Sequence, residues 1–224
     1  MKPRIAILIS GGGSNMVSLV NSMKSNRINA LPSIVISNNP NAAGLKKASE
    51  LDVPTISIDH KIFNGNREAF EETLNNTLQR EAIDIICLAG FMRILSHSFI
   101  NQWDNKILNI HPSLLPKYKG LNTHQRAIDA SDKISGCSVH IVTSELDGGL
   151  VLGQKSVNIS SDETAQTLAE KVLIEEHVLY SKILNKQKAY EQATKWQLTN
   201  ILLPLIILAA FGLTLSFLRK KKYK

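Results

Sequence analysis

The sequence predicts an α/β fold, a Rossmann-like, doubly wound, mostly parallel sheet, followed by a C-terminal transmembrane-like helix. Three observations predict it. Short β-rich runs alternate with stretches of helical period, the pattern of βαβ units. The central runs, such as "AIDIICLAG", lack in/out alternation, as strands covered by helices on both faces do. One stretch near the C-terminus, Leu198 to Leu218, runs twenty-one residues without a charge.

The elements follow in order. "RIAILIS" is a first strand, since its apolar run is too short for a signal peptide and no small-residue cleavage site follows. A glycine turn leads into a helix over "SNMVSLVNSMKSN". The strands "SIVIS", "PTISI", "AIDIICLAG" and "NKILNI" then alternate with helices over "AAGLKKASEL", "NREAFEETLNNTLQRE" and "SHSFINQWD". Two further strands, "CSVHIVT" and "LVLGQKSVNI", precede a late helix over about 162–185. Ser161 or Asp162 is its expected N-cap. The sequence thus divides into a body over 1–185, a polar connector over 186–197, a transmembrane helix over 198–218 and a basic tail over 219–224.

Composition narrows the class. The 224 residues are 43% hydrophobic and 20% charged, enough for one sizeable core or two small domains. The net charge of +7 is a tail effect, because five of the 26 Lys and Arg lie in "RKKKYK". Through Tyr190 there are 20 Lys and Arg against 18 Asp and Glu, and no basic stripe, so no nucleic-acid partner is expected. Cys87 and Cys137 each lie in an apolar run and form no C-x-x-C. Buried thiols in a reducing compartment are expected, not a disulfide framework or a zinc site. At about 1.5 Å per residue, 198–218 can cross a core of about 30 Å. Trp196 and the basic cluster flank it as interfacial anchors do, and Pro204 is tolerable within such a helix. The other reading is a buried terminal helix, but a soluble helix of this length normally carries a polar face.

"ILISGGGSN" runs a strand into Gly11, Gly12 and Gly13, then Ser14 and Asn15 at a helix start. Backbone N–H groups of such a turn, with the helix N-terminus, form an anion site. It is not G-x-G-x-x-G, since Met16 takes the third glycine's place. Asn38 and Asn39 stand where a ribose-binding acid would end the second strand. No Gly-Lys-Ser/Thr follows, so it is not a P-loop. A phosphate monoester fits better than a dinucleotide or ATP. A plain tight turn with Ser14 as N-cap remains the alternative.

"LNIHPSLLPKYKG" holds the second candidate. Asn109 and His111 are two apart and share one face of the strand end. Histidine suits proton transfer near neutral pH, and an Asn amide can donate to a developing oxyanion. "TSELDGGLVLG" puts Asp147 in a turn with two glycines. Near His111 its carboxylate would favour the imidazolium; alone, Asp-Gly-Gly means a turn. The six histidines show no metal-ligand spacing, and no nucleophile elbow occurs. Asn, His and Asp without a nucleophile suggest acyl-type transfer through a tetrahedral intermediate.

"ISGGGSN", "LAGFMRIL", "LNIHPSLLPKYKGLNTH" and "ELDGG" stand in the order found in glycinamide ribonucleotide transformylases, and residues 4–180 resemble that family of formyltransferases. The resemblance implies the formyltransferase fold, and transfer of a formyl group from 10-formyltetrahydrofolate, as co-substrate and without a metal, to the amine of 5-phosphoribosylglycinamide in purine biosynthesis. It implies Asn109, His111 and Asp147 as the catalytic trio. It implies Gly13, Ser14 and Asn15 as the phosphate cradle and Glu176 as a second substrate-binding residue. Arg67, Met92, Arg93, Ile94, Leu95, Thr143, Ser144, Glu145 and Leu146 fall on the folate side. By the residues alone, Arg67 is a surface charge at a helix start, and Glu176 equally a solvated helix face. The chain departs from the family pattern at Lys119 and Leu150, where proline is common, and at Cys137, where a small hydroxyl residue is common. The terminal apolar segment is the largest departure. A formyltetrahydrofolate deformylase shares the trio, but would call for an added N-terminal domain. A membrane-tethered binding protein on the same fold is the rival outside the enzyme class. Small-molecule cytosolic substrates imply a cytoplasmic body, with membrane association through 198–218 the open question.

Overall fold

The β-rich runs become seven strands in a computed structural model that describes residues 2–197. They are β1 (Arg4–Ile9), β2 (Leu31–Ser37), β3 (Thr55–Ser57), β4 (Ile85–Leu88), β5 (Ile107–His111), β6 (Ile134–Ile141) and β7 (Val151–Asn158). The helices are α1 (Ser14–Lys24), α2 (Ala43–Glu50), α3 (Arg67–Arg80), α4 (His97–Gln102), α5 (Thr123–Asp129) and α6 (Ala165–Gln197). The chain divides into two units, 1–183 and 184–224, and the sheet belongs to the first.

The strand order is β3-β2-β1-β4-β5-β6-β7. β1 to β5 run parallel, and β6 and β7 add antiparallel. The chain moves outward one way from β1 to β3 and then returns to lay β4 on the other side of β1. That reversal puts the switch point at the carboxyl ends of β1 and β4, where open α/β sheets hold ligands. β5 reaches the antiparallel β6 through residues 112–133, which hold α5, and β7 returns against β6 after the shorter 142–150 connection.

Packing explains the missing alternation. Ile5, Ala6, Ile7, Leu8 and Ile9 are all fully buried, so both faces of β1 are covered. On one face Ala6, Leu8, Ile34, Ile36 and Leu88 meet Phe70, Leu74 and Leu78 of α3 and Phe99 of α4. The other face carries α1 and α6, which meet through Asn15–Glu176 and Ser181–Ser22 hydrogen bonds. Tyr180 anchors α6: its buried hydroxyl lies 3.1 Å from the Leu88 carbonyl and 2.9 Å from that of Leu108. Cys87 and Cys137 are buried and unpaired. Burial pushes both thiols up to about 12.

Several local expectations are corrected. Ser14 does not cap α1. Gly13 occupies the cap position at φ +70, and no side chain caps the turn. α6 starts at Ala165, with Thr164 Oγ1 accepting from Thr167 N–H at 3.1 Å in place of Ser161 or Asp162. The helix does not stop at 185 but continues through the polar 186–197 stretch, whose residues are good helix formers. α5 and a 3-10 turn at His60–Phe63 are additions that the sequence reading did not include. Among the described residues no helix is long and apolar enough to cross a membrane. The expected transmembrane helix over 198–218 and the tail over 219–224 lie outside the described residues.

Tyr180→Phe leaves two buried carbonyls without their hydroxyl partner while keeping the ring. A loss of about 1–3 kcal/mol is expected, the desolvation cost of an unmet buried polar group. Urea titration checks it, as a lowered midpoint with unchanged slope.

Candidate active site

Two clusters form along the sheet. The first is the turn after β1. Its Gly11 carbonyl accepts from Gly44 N–H at 3.0 Å, so α2 is held against the turn. A Cβ on Gly44 would lie 2.6 Å from Ile9 Cδ1 and 2.9 Å from the Gly11 oxygen. Two backbones therefore pack directly, and the signal for it was a glycine inside a helical run. Lys47 reaches back from α2 to place Nζ 2.9 Å from the Gly12 carbonyl. The first N–H groups of α1 have no partner within the helix and open into this turn. Asn15 is buried, and its Nδ2 donates to Glu176 Oε2 at 2.7 Å, while its own Oδ1 has no partner. Burial raises the Glu176 carboxyl above its ordinary value, and the Asn15 bond offsets only part of that.

The second cluster lies over β5 and β6. Asn109 pairs with His140 across the antiparallel ladder, which sets their side chains on one face. His140 Nδ1 faces the Ile141 carbonyl at 2.9 Å, so its Nδ1–H donates there. With Nδ1–H so engaged, Nε2 is placed to accept from Asn109 Nδ2, 3.1 Å away. One amide hydrogen of Asn109 is left for another acceptor. The loop after β6 folds back over this face to deliver Asp147. Its carboxylate lies 3.4 Å from His111 Nδ1, 3.5 Å from His140 Nε2, and accepts from Gly120 N–H at 2.8 Å. Burial works to raise the Asp147 carboxyl. The facing His140 ring, the bond from Gly120 N–H and the nearby His111 outweigh it and hold the group below the usual carboxylate range. His111 Nε2 lies 2.9 Å from the Tyr118 carbonyl, so both ring nitrogens face oxygen acceptors.

Around this cluster opens a cavity of about 870 Å³. Its walls include Met92, Arg93, Ile94 and Leu95 after β4 and Thr143, Ser144, Glu145, Leu146 and Asp147 after β6. Met92, Ile94, Leu121 and Leu146 each leave more than half their surface exposed, an apolar lining suited to a flat ring system. Lys119 Nζ meets Glu145 Oε1 at 2.6 Å, tying the two loops at the rim. His124 also lines the cavity with Nδ1 buried and unpartnered. Burial, then the charge of His111, lowers its basicity.

The structure thus brings Asn109, His111 and Asp147 together with eight of the nine folate-side residues. Arg67 is the exception: it opens α3, is exposed, and is not among the cavity walls. Gly13, Ser14, Asn15 and Glu176 form the separate first cluster. Sequence reasoning missed His140, because a histidine within an apolar strand carries no local mark. It missed Gly44, His124 and the Tyr118 carbonyl as well. Among the described residues no group of three His, Cys, Asp or Glu could hold a metal ion.

Residues 3–184 match the formyl transferase family. The chain belongs to that family. Within it, the chain is 39% identical over 181 residues to the phosphoribosylglycinamide formyltransferase of Escherichia coli, covering 81% of this chain and 85% of that protein. It is 44% identical over 183 residues to the trifunctional purine biosynthetic protein adenosine-3 of Bos taurus, 82% of this chain. The chain spans only 18% of the length of that trifunctional relative. Its structure is similar to that of phosphoribosylglycinamide formyltransferase from Brucella melitensis, with a TM-score of 0.79 and 45% identity over 83% of this chain and 95% of that one. This formyl transferase sheet carries both clusters, one after β1 and the other over β5 and β6.

The lowered Asp147 carboxyl has a pH signature. A group with a depressed folded value adds stability above its unfolded value, about 3.9, and loses it as pH falls through the lower folded value. Wild type should therefore melt above Asp147→Asn at neutral pH, with the gap closing below about pH 4. Thermal melts of both proteins from pH 7 to 3 check this, and a constant gap would contradict it.

Proposed function

We propose that the chain transfers the formyl group of 10-formyltetrahydrofolate to the amine of 5-phosphoribosylglycinamide. The observation that carries this reading is the Asp147 carboxylate set between two histidines, beside an Asn109 amide with one hydrogen to spare, at the floor of a large apolar-walled cavity. The relatives named for the same activity support it.

The residues divide the work. The turn at Gly13, Ser14 and Asn15 holds the substrate phosphate on backbone N–H groups and the start of α1. Glu176, whose charge the fold disfavours, accepts from substrate hydroxyl or amine donors and is relieved by them. Met92 to Leu95 and Thr143 to Leu146 hold the folate ring system. Arg67, at the start of α3, is kept as a folate-side contact from the resemblance alone. The bound folate supplies the electrophilic formyl carbon.

The substrate amine attacks that carbon. A C–N bond forms, the bond to the folate nitrogen N10 breaks, and the amine's proton ends on N10. Between these events an oxyanion develops. Asn109 donates its free amide hydrogen to it. His111 donates from a ring nitrogen, exchanging its contact with the Tyr118 carbonyl for the oxyanion. Asp147 keeps the ring oriented and stabilises its positive charge through the exchange. His140, fixed by the Ile141 carbonyl, aims the Asn109 amide. The body acts on small molecules. We further infer a cytoplasmic setting, since both substrates are cytosolic metabolites. The 198–218 segment is proposed as a membrane attachment on its charge-free length alone.

Loss of one oxyanion donor costs about 2.7–4 kcal/mol by precedent. Asn109→Ala should slow turnover roughly a hundredfold or more with folding intact, measured by folate absorbance with both substrates present. Wild-type-like turnover would sink the assignment. Glu176→Gln should raise KM for the ribonucleotide with little change for the folate. Consumption of folate without ribonucleotide would mark a deformylase, and no consumption at all a binding protein.

A further inference from the structure

Ser10 sits at the switch point, directly after β1, and the formyl-transfer reading leaves it without a role. Its N–H donates to the Gly90 carbonyl at 3.0 Å. Its Oγ donates to Asn38 Oδ1 at 2.5 Å and accepts from Met92 N–H at 2.7 Å. Asn38 is buried after β2, and its carbonyl in turn accepts from His60 Nδ1 at 2.8 Å. One hydroxyl therefore joins three strand ends.

Its neighbours make that junction consequential. Gly11 follows it covalently and begins the anion-binding turn. Gly90 and Met92, which begin the cavity wall, hang on it by two hydrogen bonds. A Cβ on Gly11, Gly12 or Gly90 would meet nothing within 4 Å, so hydrogen bonds to their carbonyls, from Gly44 N–H, Lys47 Nζ and Ser10 N–H, are what hold these backbones. Ser10 itself is not among the cavity walls.

We propose that Ser10 is a positioning residue that couples the two ligand sites, so that an anion on the Gly11–Asn15 turn tightens the hold on a flat heterocycle against Met92–Leu95. This rests on the formyl-transfer reading. The anion fixes the torsions of the turn and with them the direction of the Ser10 hydroxyl. That hydroxyl fixes the Met92 amide. The second ligand then has less backbone left to order. The coupling is reciprocal, so either ligand strengthens the other by the same factor.

The test uses tetrahydrofolate, which lacks the formyl group and cannot turn over. Its Kd is measured by titration calorimetry with and without saturating 5-phosphoribosylglycinamide, in wild type, Ser10→Ala and Ser10→Thr. Wild type should show a ratio of about fivefold or more, the lower range of measured couplings. Ser10→Ala should bring the ratio near one, and Ser10→Thr, which keeps the hydroxyl, should restore most of it. Asn38→Ala removes only the acceptor of that hydroxyl and should fall between, which serves if Ser10→Ala folds poorly. A ratio of one in wild type overturns the coupling. So does weaker binding of both ligands with the ratio intact, the mark of a merely structural residue. Failure of wild type to bind either ligand overturns formyl transfer itself, and the coupling with it.

Discussion

One carboxylate organises the chemistry of this fold. Asp147 reaches His111, His140 and the Gly120 amide at once. Those three partners come from the strand β5, the strand β6 and the turn after β5, so the contact ties the loop after β6 to a stretch that ends 27 residues before Asp147. The antiparallel pairing of β5 with β6 is what makes this geometry available. It sets Asn109 opposite His140 and leaves His111 on the same face two residues on.

Burial then decides how each group behaves. Asp147 and Glu176 are both shielded carboxyls, yet they move in opposite directions. Asp147 has two rings and a backbone donor to oppose desolvation, and stays readily ionised. Glu176 has one neutral amide, which is too little. One carboxylate is kept as a fixed charge beside the reacting atoms, and the other is left wanting donors.

Much of this was readable from the chain. The seven strands and five of the six helices follow from the two hydrophobic periods, and buried runs such as Ile5 to Ile9 announced a doubly covered sheet. Asn109, His111 and Asp147 were legible because residue types with narrow chemical uses stood at strand ends or in glycine turns. What escaped notice depends on contacts between distant residues. His140 looks like any polar residue inside an apolar strand until the ladder pairs it with Asn109. Gly44 looks like a weak spot in a helix until its Cα meets the turn at Gly13. The alternative of Ser14 as the cap of α1 fails for a related reason: Gly13 in the left-handed region occupies the cap position. Arg67 illustrates the reverse case, since its local sequence said surface charge, and exposed at the start of α3 is where the structure places it.

The half-satisfied state of Glu176 has a consequence for ligand traffic. Burial disfavours the charge of this carboxyl, and a ligand that offers it hydrogen-bond donors favours its ionisation. Uptake of such a ligand is then coupled to proton release. Affinity should rise with pH through the carboxyl's raised value and level off above it, and calorimetric heats should vary with the ionisation enthalpy of the buffer. A helix residue tucked against Asn15 thereby makes substrate capture a small acid–base reaction in its own right.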